Sequence, residues 1–265
     1  MAKSKEVTKK EDQLPANIDM EADADSGFEG ADAESFAIPF IRVLQKLSPQ
    51  VDEDSEERID EAKAGMLFET VGKTLIAAKL ADKEPGLEVI PCHYERSFLE
   101  WAPRNSGGGL NGKYTVAEAE PMLATCSKDE NNKPVLPNGN QLSDTRTFYV
   151  LAKINDEWQP VVISMSSSQV KKAKAWMSLM HNLKAVREDK TKYTPPMFSS
   201  IYRLNTVKEQ KDDNTWYGWN VERACYCGDT QVYQLAKQFR EQIAKGVVEV
   251  KHEQGAEAYT EPGDM

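Results

Sequence analysis

From Leu87 onward the hydrophobic pattern changes period in a fixed order, and that order restricts the possible folds more than any single motif does. Leu87–Trp101 is a long run of β-forming residues, with Pro91 marking a bulge or an edge position. A polar excursion, 102–145, follows; it holds Asn105-Ser-Gly-Gly-Gly109 and Lys133-Pro-Val-Leu-Pro-Asn-Gly-Asn140. A stretch this long without regular patterning points to a functional loop. Arg146–Ile154 then puts Phe148, Val150, Ala152 and Ile154 on one face and Thr147, Tyr149, Leu151 and Lys153 on the other. Asn155-Asp156-Glu157 is a hairpin turn, and Trp158–Met165 returns as the partner strand. Ser166 with Gln169 three residues later fits a capping box. The helix after it carries Val170, Ala173, Trp176, Met177, Met180 and Leu183 on one side, with Lys171, Lys174 and Ser178 opposite. Pro195-Pro196 excludes helix beyond that point. Phe198–Lys208 and Thr215–Cys225 read as two more strands flanking a polar turn, and Gly228-Asp229 caps a last amphipathic helix that ends near Gly246.

Strand, long loop, strand, strand, helix, strand, strand is the element order of the oligonucleotide-binding (OB) fold. The expected class is therefore mainly β with helices (α+β): an OB-like five-stranded barrel, a helix between strands three and four, and extra N- and C-terminal helices. A mixed α+β sheet of another order is the rival. The N-terminal helix is expected over Ser35–Leu47, where Pro39 suits a first turn and Phe40, Val43, Leu44 and Leu47 recur at helical spacing. Residues 50–64 have room for a short helix, and Met66–Thr70 with Thr74–Ala78 for a hairpin. Three regions result: a disordered acidic arm (1–34), one OB-like domain (35–250) with a helical and hairpin extension and the 102–145 loop, and a flexible tail (251–265). The arm contains almost no large apolar side chains, so it cannot offset its ordering entropy.

The chain carries 33 Lys+Arg against 43 Asp+Glu, which alone argues against a polyanionic partner. The distribution reverses that inference. Residues 1–60 hold 7 basic and 16 acidic side chains and 251–265 hold 1 and 4, whereas 61–250 hold 25 and 23. The acidity sits at the ends and leaves the middle free to present a basic face. No apolar run approaches the roughly 20 residues of a membrane span, and no apolar leader follows Met1. Four cysteines in 265 residues are too few for a disulfide scaffold. These features predict a cytoplasmic protein with no membrane partner and no cofactor.

The basic residues concentrate in Ser168–Arg203, with eight basic side chains against Glu188 and Asp189, interleaved with Trp176, His181, Tyr193, Phe198 and Tyr202. Cations neutralise phosphates and flat rings stack on bases, at about 1–3 kcal/mol per base. Candidate nucleic-acid contacts are Trp101 and Arg104 beside the glycine loop, Lys113, Arg146, Tyr149, Lys153, Trp158, Lys171, Lys172, Lys174, Tyr202, Arg203, Trp216 and Trp219. Trp176 falls on the apolar arc of its helix and is better read as core. Cys225-Tyr-Cys227 with Cys92-His93 forms a candidate zinc set only if the first and fifth strands adjoin; buried thiols are the default. The glycine loop lacks the spacing of a phosphate-binding Gly-x-x-x-x-Gly-Lys motif, and His93, His181 and His252 lie in unrelated contexts. No nucleophile or metalloprotease motif is present, so the expectation is a protein without enzymatic activity.

At Ile38-Pro-Phe-Ile-Arg-Val-Leu-Gln45, at Pro160–Trp176 and at Trp216-Tyr-Gly-Trp219 the chain resembles tailed-phage proteins that accompany replication genes. The likeness covers residues 36–245. More loosely, the plan is similar to phage single-stranded-DNA-binding proteins, which join an OB core to an acidic tail that recruits replication partners. That resemblance implies sequence-tolerant binding of single-stranded DNA in replication or recombination, with phage or host replication proteins as further partners. The chain departs from the pattern in one respect: its heavier acidic segment is N-terminal, and Glu257–Met265 is only mildly acidic. Two rivals remain: an interaction module that targets a host polymerase or defence protein, and a virion or scaffold component. Oligomeric state is open, a dimer included.

Overall fold

In a computed structural model the described residues are 26–27, 37–76, 86–103, 108–130, 132–211 and 214–246. The chain divides into Met1–Phe36 and Ala37–Met265, and the description below concerns the second unit. The acidic arm, the C-terminal tail and Arg104 all lie outside the described residues, apart from the turn at 26–27.

The unit is mainly β, with three α-helices among the described residues. Strands β1 (Ile41–Val43), β2 (Leu67–Glu69) and β3 (Leu75–Ile76) form a small antiparallel sheet. A larger antiparallel sheet contains β4 (Leu87–Trp101), β5 (Leu110–Tyr114), β6 (Ser127–Lys128), β7 (Pro134–Val135), β8 (Gln141–Ile154), β9 (Glu157–Met165), β12 (Ser200–Lys211) and β13 (Asn214–Tyr226). A two-stranded ribbon, β10 (Ala185–Val186) and β11 (Lys192–Tyr193), stands apart. Helix α1 (Val116–Thr125) follows β5, α2 (Val170–Asn182) joins β9 towards the ribbon, and α3 (Thr230–Ala244) ends the described chain.

The central strands run side by side in the order β9-β8-β4-β12-β13. Asn155 and Asp156 both have positive φ, the two-residue turn whose twist suits the β8–β9 hairpin. Cys92 is the extra residue of a bulge in β4 between Pro91 and His93, where the register against β8 shifts by one. The sheet curls into a half-barrel, and a bulge of this kind bends its strand in the sense that curling requires. Eight strands, rather than the expected five, make up this sheet. Among the described residues no pairing joins β9 to β13, so the curl stays open between those two edges.

Both faces of the sheet are covered. The inner face buries Phe148, Val150, Ala152, Val161, Ile163 and Tyr202 beneath Trp176 of α2, which stacks on Phe148 at 4.3 Å between ring centroids. Truncating such a tryptophan to alanine costs about 3–5 kcal/mol. The outer face buries Ile90, Tyr149, Leu151 and Val162 beneath Ala236 and Phe239 of α3. A third cluster, Phe98, Leu136 and Leu142, lies under Ala119 of α1.

Three local expectations are corrected. Ile38–Leu47 is not helical: Phe40–Val43 is extended, and its backbone is engaged by β2 and β9. The Pro39 carbonyl accepts from Val162 N–H at 2.8 Å, and the Phe40 carbonyl accepts from Thr70 N–H. Open strand edges thus outcompete a helical periodicity that four apolar residues satisfied. Residues 50–64 form hydrogen-bonded turns instead of a helix. The 102–145 excursion holds β5, α1, β6 and β7; Thr115 and Glu118 cap α1 reciprocally in a capping box.

The open seam is closed by side chains. Gln45 grips the outer edge of β13 with both ends of its amide: its Nε2 donates to the Tyr217 carbonyl at 2.8 Å, and its Oε1 accepts from Tyr217 N–H at 2.9 Å. Two residues on, Trp219 N–H donates to Gln169 Oε1 at 2.9 Å. Gln169 therefore does not complete a capping box with Ser166. A turn of 3-10 helix (Ser167–Gln169) precedes α2, and neither N-terminus carries a side-chain cap. A Cβ at Gly218, between the two gripped residues, would lie 2.8 Å from Glu209 Oε2 and 2.9 Å from Gln169 Nε2, so a side chain there would push both of those side-chain ends aside.

Candidate nucleic-acid interface

The predicted contacts separate into three groups by position. The rings form the first. Trp101, Tyr149, Tyr202, Trp216 and Trp219 are all buried, so base stacking on them as expected from the sequence is corrected. Side chains alternate along each strand as expected, but at these rings neither face of the sheet meets solvent. Tyr149 lies under α3 with its hydroxyl donating to Glu95, Tyr202 packs edge-on against Trp176, and the Trp216 indole N–H donates to Glu209 at 2.9 Å. Trp158 is half-buried against the outer cluster.

Cations held by carboxylates form the second group. Lys113 Nζ lies 2.8 Å from Glu95, Lys153 Nζ 3.2 Å from Asp156, Lys172 Nζ 2.7 Å from Glu209 and Arg203 Nη2 3.4 Å from Glu88. Arg146 is buried and bound to Asp144 through Nε and Nη2. Burial alone would raise the Glu209 carboxyl, but the hydrogen bonds from Lys172 and Trp216 and the nearby lysine charges outweigh it and hold it below the usual carboxylate range. The Lys172–Glu209–Trp216 contact therefore fixes the start of α2 on the β12–β13 hairpin rather than offering a cation to a ligand.

The third group is an exposed basic ridge. Lys171 and Lys174 lie on the outward side of α2 with Ser178 and His181, all exposed. Arg187, Lys190 and Lys192 of the β10–β11 ribbon that follows are exposed as well, with Glu188 and Asp189 between them and Lys184 at the junction. Lys184 Nζ donates to the His181 carbonyl (2.9 Å) and to Thr194 Oγ1 (2.6 Å), tying the end of the helix to the ribbon. Asp189 accepts from both the N–H and the hydroxyl of Thr191, which closes the ribbon turn, and Lys190 adopts positive φ. The Thr191 hydrogen bonds hold the Asp189 carboxyl below its usual range. The Arg187 guanidinium sits over Tyr193 at 4.6 Å, and Tyr193 is 37 % exposed.

A second exposed tyrosine is covered in the same way. Arg223 lies over Tyr226 at 4.3 Å, and Tyr226 is 49 % exposed. Tyr226 registers with Ser200, seven residues beyond Tyr193 in the chain. Sequence reasoning missed Tyr226 because it stood beyond the expected strand, as the spacer of the Cys225-Tyr-Cys227 pair. The available signal was its place beyond the last inward-facing residue of β13.

The zinc set is not assembled. β12 lies between β4 and β13, so the first and fifth strands do not adjoin. Among the described residues no group of three or more His, Cys, Asp or Glu side chains could hold a metal. All four cysteines are free thiols, and burial pushes the Cys92 thiol up to about 12. No described helix is long and apolar enough to cross a membrane.

Comparison with protein families matches residues 8–249 to the Pam3 phage gp34-like proteins. The chain belongs to the Pam3 phage gp34-like family. The family description names a phage protein and states no activity, so the chemistry has to be argued from the ridge and the sheet. No curated protein and no solved structure matches the chain.

Proposed function

We propose that this phage-family protein binds single-stranded DNA without strong sequence preference, gripping the phosphate backbone along the α2–ribbon ridge during phage DNA replication or recombination. The observation that carries the reading is the ridge itself. Lys171, Lys174, Arg187, Lys190 and Lys192 are exposed on consecutive elements of a chain whose net charge is −10. A cluster of like charges is self-repelling, and a polyanion relieves that repulsion while releasing condensed counterions. Support for an OB-like ligand face comes from the chain order β4, β8, β9, α2, β12, β13, with the helix between the third and fourth of the central strands. Tyr193 and Tyr226 remain as stacking surfaces, each with an arginine plane already placed on it.

The test is an electrophoretic mobility shift with oligo-dT and with a duplex of equal length, at about 50 and 200 mM salt. Retardation of oligo-dT in preference to duplex, weakening steeply with salt, is the expected result. The quadruple variant Lys171→Gln, Lys174→Gln, Lys190→Gln, Lys192→Gln should flatten the log–log salt dependence by roughly 0.7 for each phosphate that is no longer neutralised. Salt-insensitive binding, or binding unchanged in the folded quadruple variant, defeats the reading.

A further inference from the structure

Beyond the ridge, the inner face of the β4–β8 ribbon carries two arginines that share one carboxylate. Tyr94 registers with Phe148, Arg96 with Arg146 and Phe98 with Asp144, so these six side chains lie in successive rungs on one face. Asp144 is clamped from both sides. Arg96 places Nε 3.1 Å from Oδ1 and Nη2 2.9 Å from Oδ2, and Arg146 places Nε 3.0 Å from Oδ1 and Nη2 2.9 Å from Oδ2. Arg146 Nη1 donates onward to the Tyr94 hydroxyl at 2.9 Å, and the Arg96 guanidinium lies 5.3 Å from the centre of the Phe98 ring. Two cations and one anion leave the group with an excess of positive charge.

The location is as informative as the charge. α2 covers this face at Phe148 and α1 covers it at Phe98 and Leu142, so the arginine rung falls between the two covered stretches. Arg146 is buried, whereas the Arg96 side chain remains 37 % exposed. Tyr94, beside this rung, packs on Phe148 (5.1 Å between ring centroids), which lies under Trp176 of α2 (4.3 Å), so the rung borders the stretch covered by the helix whose outward side bears the ridge. Burial by itself would raise the Asp144 carboxyl; hydrogen bonds from Arg96 and Arg146 and their charges outweigh it and keep it ionised. With Asp144 engaged by Nε and Nη2 of Arg96, the Nη1 group of that arginine keeps its donors for an incoming oxyanion.

We infer that Arg96, oriented by Asp144 and backed by Arg146, is a phosphate-binding position on the inner face of the sheet, and that it holds a backbone phosphodiester of the strand gripped by the ridge. The inference rests on the single-stranded-DNA reading and gives the bound strand a path from α2 across β4 and β8. Arg146 and Asp144 are positioning residues; Arg96 makes the contact.

The experiment is fluorescence anisotropy of labelled oligo-dT from about 50 to 200 mM salt with the full chain and with Arg96→Gln, Arg96→Lys and Asp144→Asn, each checked for folding by thermal melting. With one fewer phosphate neutralised, the wild-type advantage over R96Q shrinks by about 2.6-fold across that salt range, and R96K, which keeps the charge, retains the wild-type slope. D144N removes the carboxylate that orients Arg96, and its slope flattens toward that of R96Q. If R96Q does not fold, Arg96→Met, which keeps the aliphatic stem and leaves the Arg146–Asp144 pair intact, takes its place. Identical slopes in the wild type and every folded variant overturn the proposal while leaving the ridge reading intact. No binding by the wild type at the lower salt concentration removes both. A second arm titrates inorganic phosphate at matched ionic strength. Arg96-dependent thermal stabilisation by phosphate alone, with oligo-dT binding unchanged in R96Q, assigns the site to a free anion and overturns the phosphodiester assignment.

Discussion

Gln45→Ala tests how the half-barrel is held shut. The wild-type amide makes two hydrogen bonds to Tyr217, at 2.8 and 2.9 Å, in a half-buried seam where β13 has no neighbouring strand among the described residues. A protein hydrogen bond contributes about 1 kcal/mol net, and an orphaned backbone group costs more when water cannot reach it. Tyr217 is only half-buried, so water replaces part of what the amide supplied, and the expected destabilisation is about 1–2 kcal/mol. At about 2–4 °C per kcal/mol for a domain of this size, Tm falls by roughly 2–8 °C. A thermal melt reads that shift but does not locate it, whereas amide hydrogen exchange does. Tyr217 and Trp219 point their N–H groups at the seam, and Gly218 between them points at β12. In Q45A the Tyr217 amide should exchange faster while Gly218 and Trp219 keep their protection, the latter because Gln169 still holds it. Adding Gln169→Ala should release Trp219 as well and leave an uncovered strand edge, which templates association between chains. A Tyr217 amide that exchanges as slowly in Q45A as in wild type shows that the glutamine does not close the seam.

Two further outcomes follow from side chains that the fold constrains tightly. Gly86 has φ +77°, and a Cβ there would meet the Asn205 side-chain oxygen and lie 2.8 Å from the Leu204 carbonyl. Gly86→Ala therefore combines left-handed strain with backbone overlap and should cost more than about 2 kcal/mol in urea unfolding; a neutral result removes the constraint at the start of β4. Glu100 is a buried carboxylate whose pKa burial would raise, but hydrogen bonds from Asn140, Tyr114 and Asn138 outweigh that and hold it below the usual range. Because the folded value is depressed, this stability is present above the unfolded pKa of about 4.3 and is lost as pH falls through the folded value. Glu100→Gln should flatten the acid limb of a stability–pH curve measured between about pH 5 and pH 2, and an unchanged limb refutes the assignment.

Local chemistry made much of the framework legible. The Asn155-Asp156 turn, the α3 cap at Asp229 and the inward set Phe148, Val150, Ala152 and Ile154 all follow from residues a few positions apart, whose side chains and torsions act within one turn or one hairpin. Helix α1 was missed: Thr115-x-x-Glu118 marks its start, but Pro121 and a weak apolar face hid it within the polar excursion. The ridge was readable for a related reason: charged side chains on a short helix and its following ribbon stay at the surface wherever that unit docks.

The sequence by itself determined the periods, the turns, the distribution of charge and the order of the central elements. It could not say which strand faces would be covered, because alternation separates two faces without saying what packs on either. α3 closed the face that carries Tyr149, and α2 closed the face that carries Tyr202, which turned expected stacking platforms into core. Tertiary structure alone also decided that Ile41–Val43 is a strand, because the backbone bonds that fix it come from β9 and β2, far along the chain in both cases. It decided as well that Gln45 and Gln169 meet β13, and that Arg96 and Arg146 converge on a single carboxylate. Contacts between residues distant in the chain depend on which edges and faces remain free after the local elements have formed, and that is a property of the assembled sheet rather than of any window of sequence.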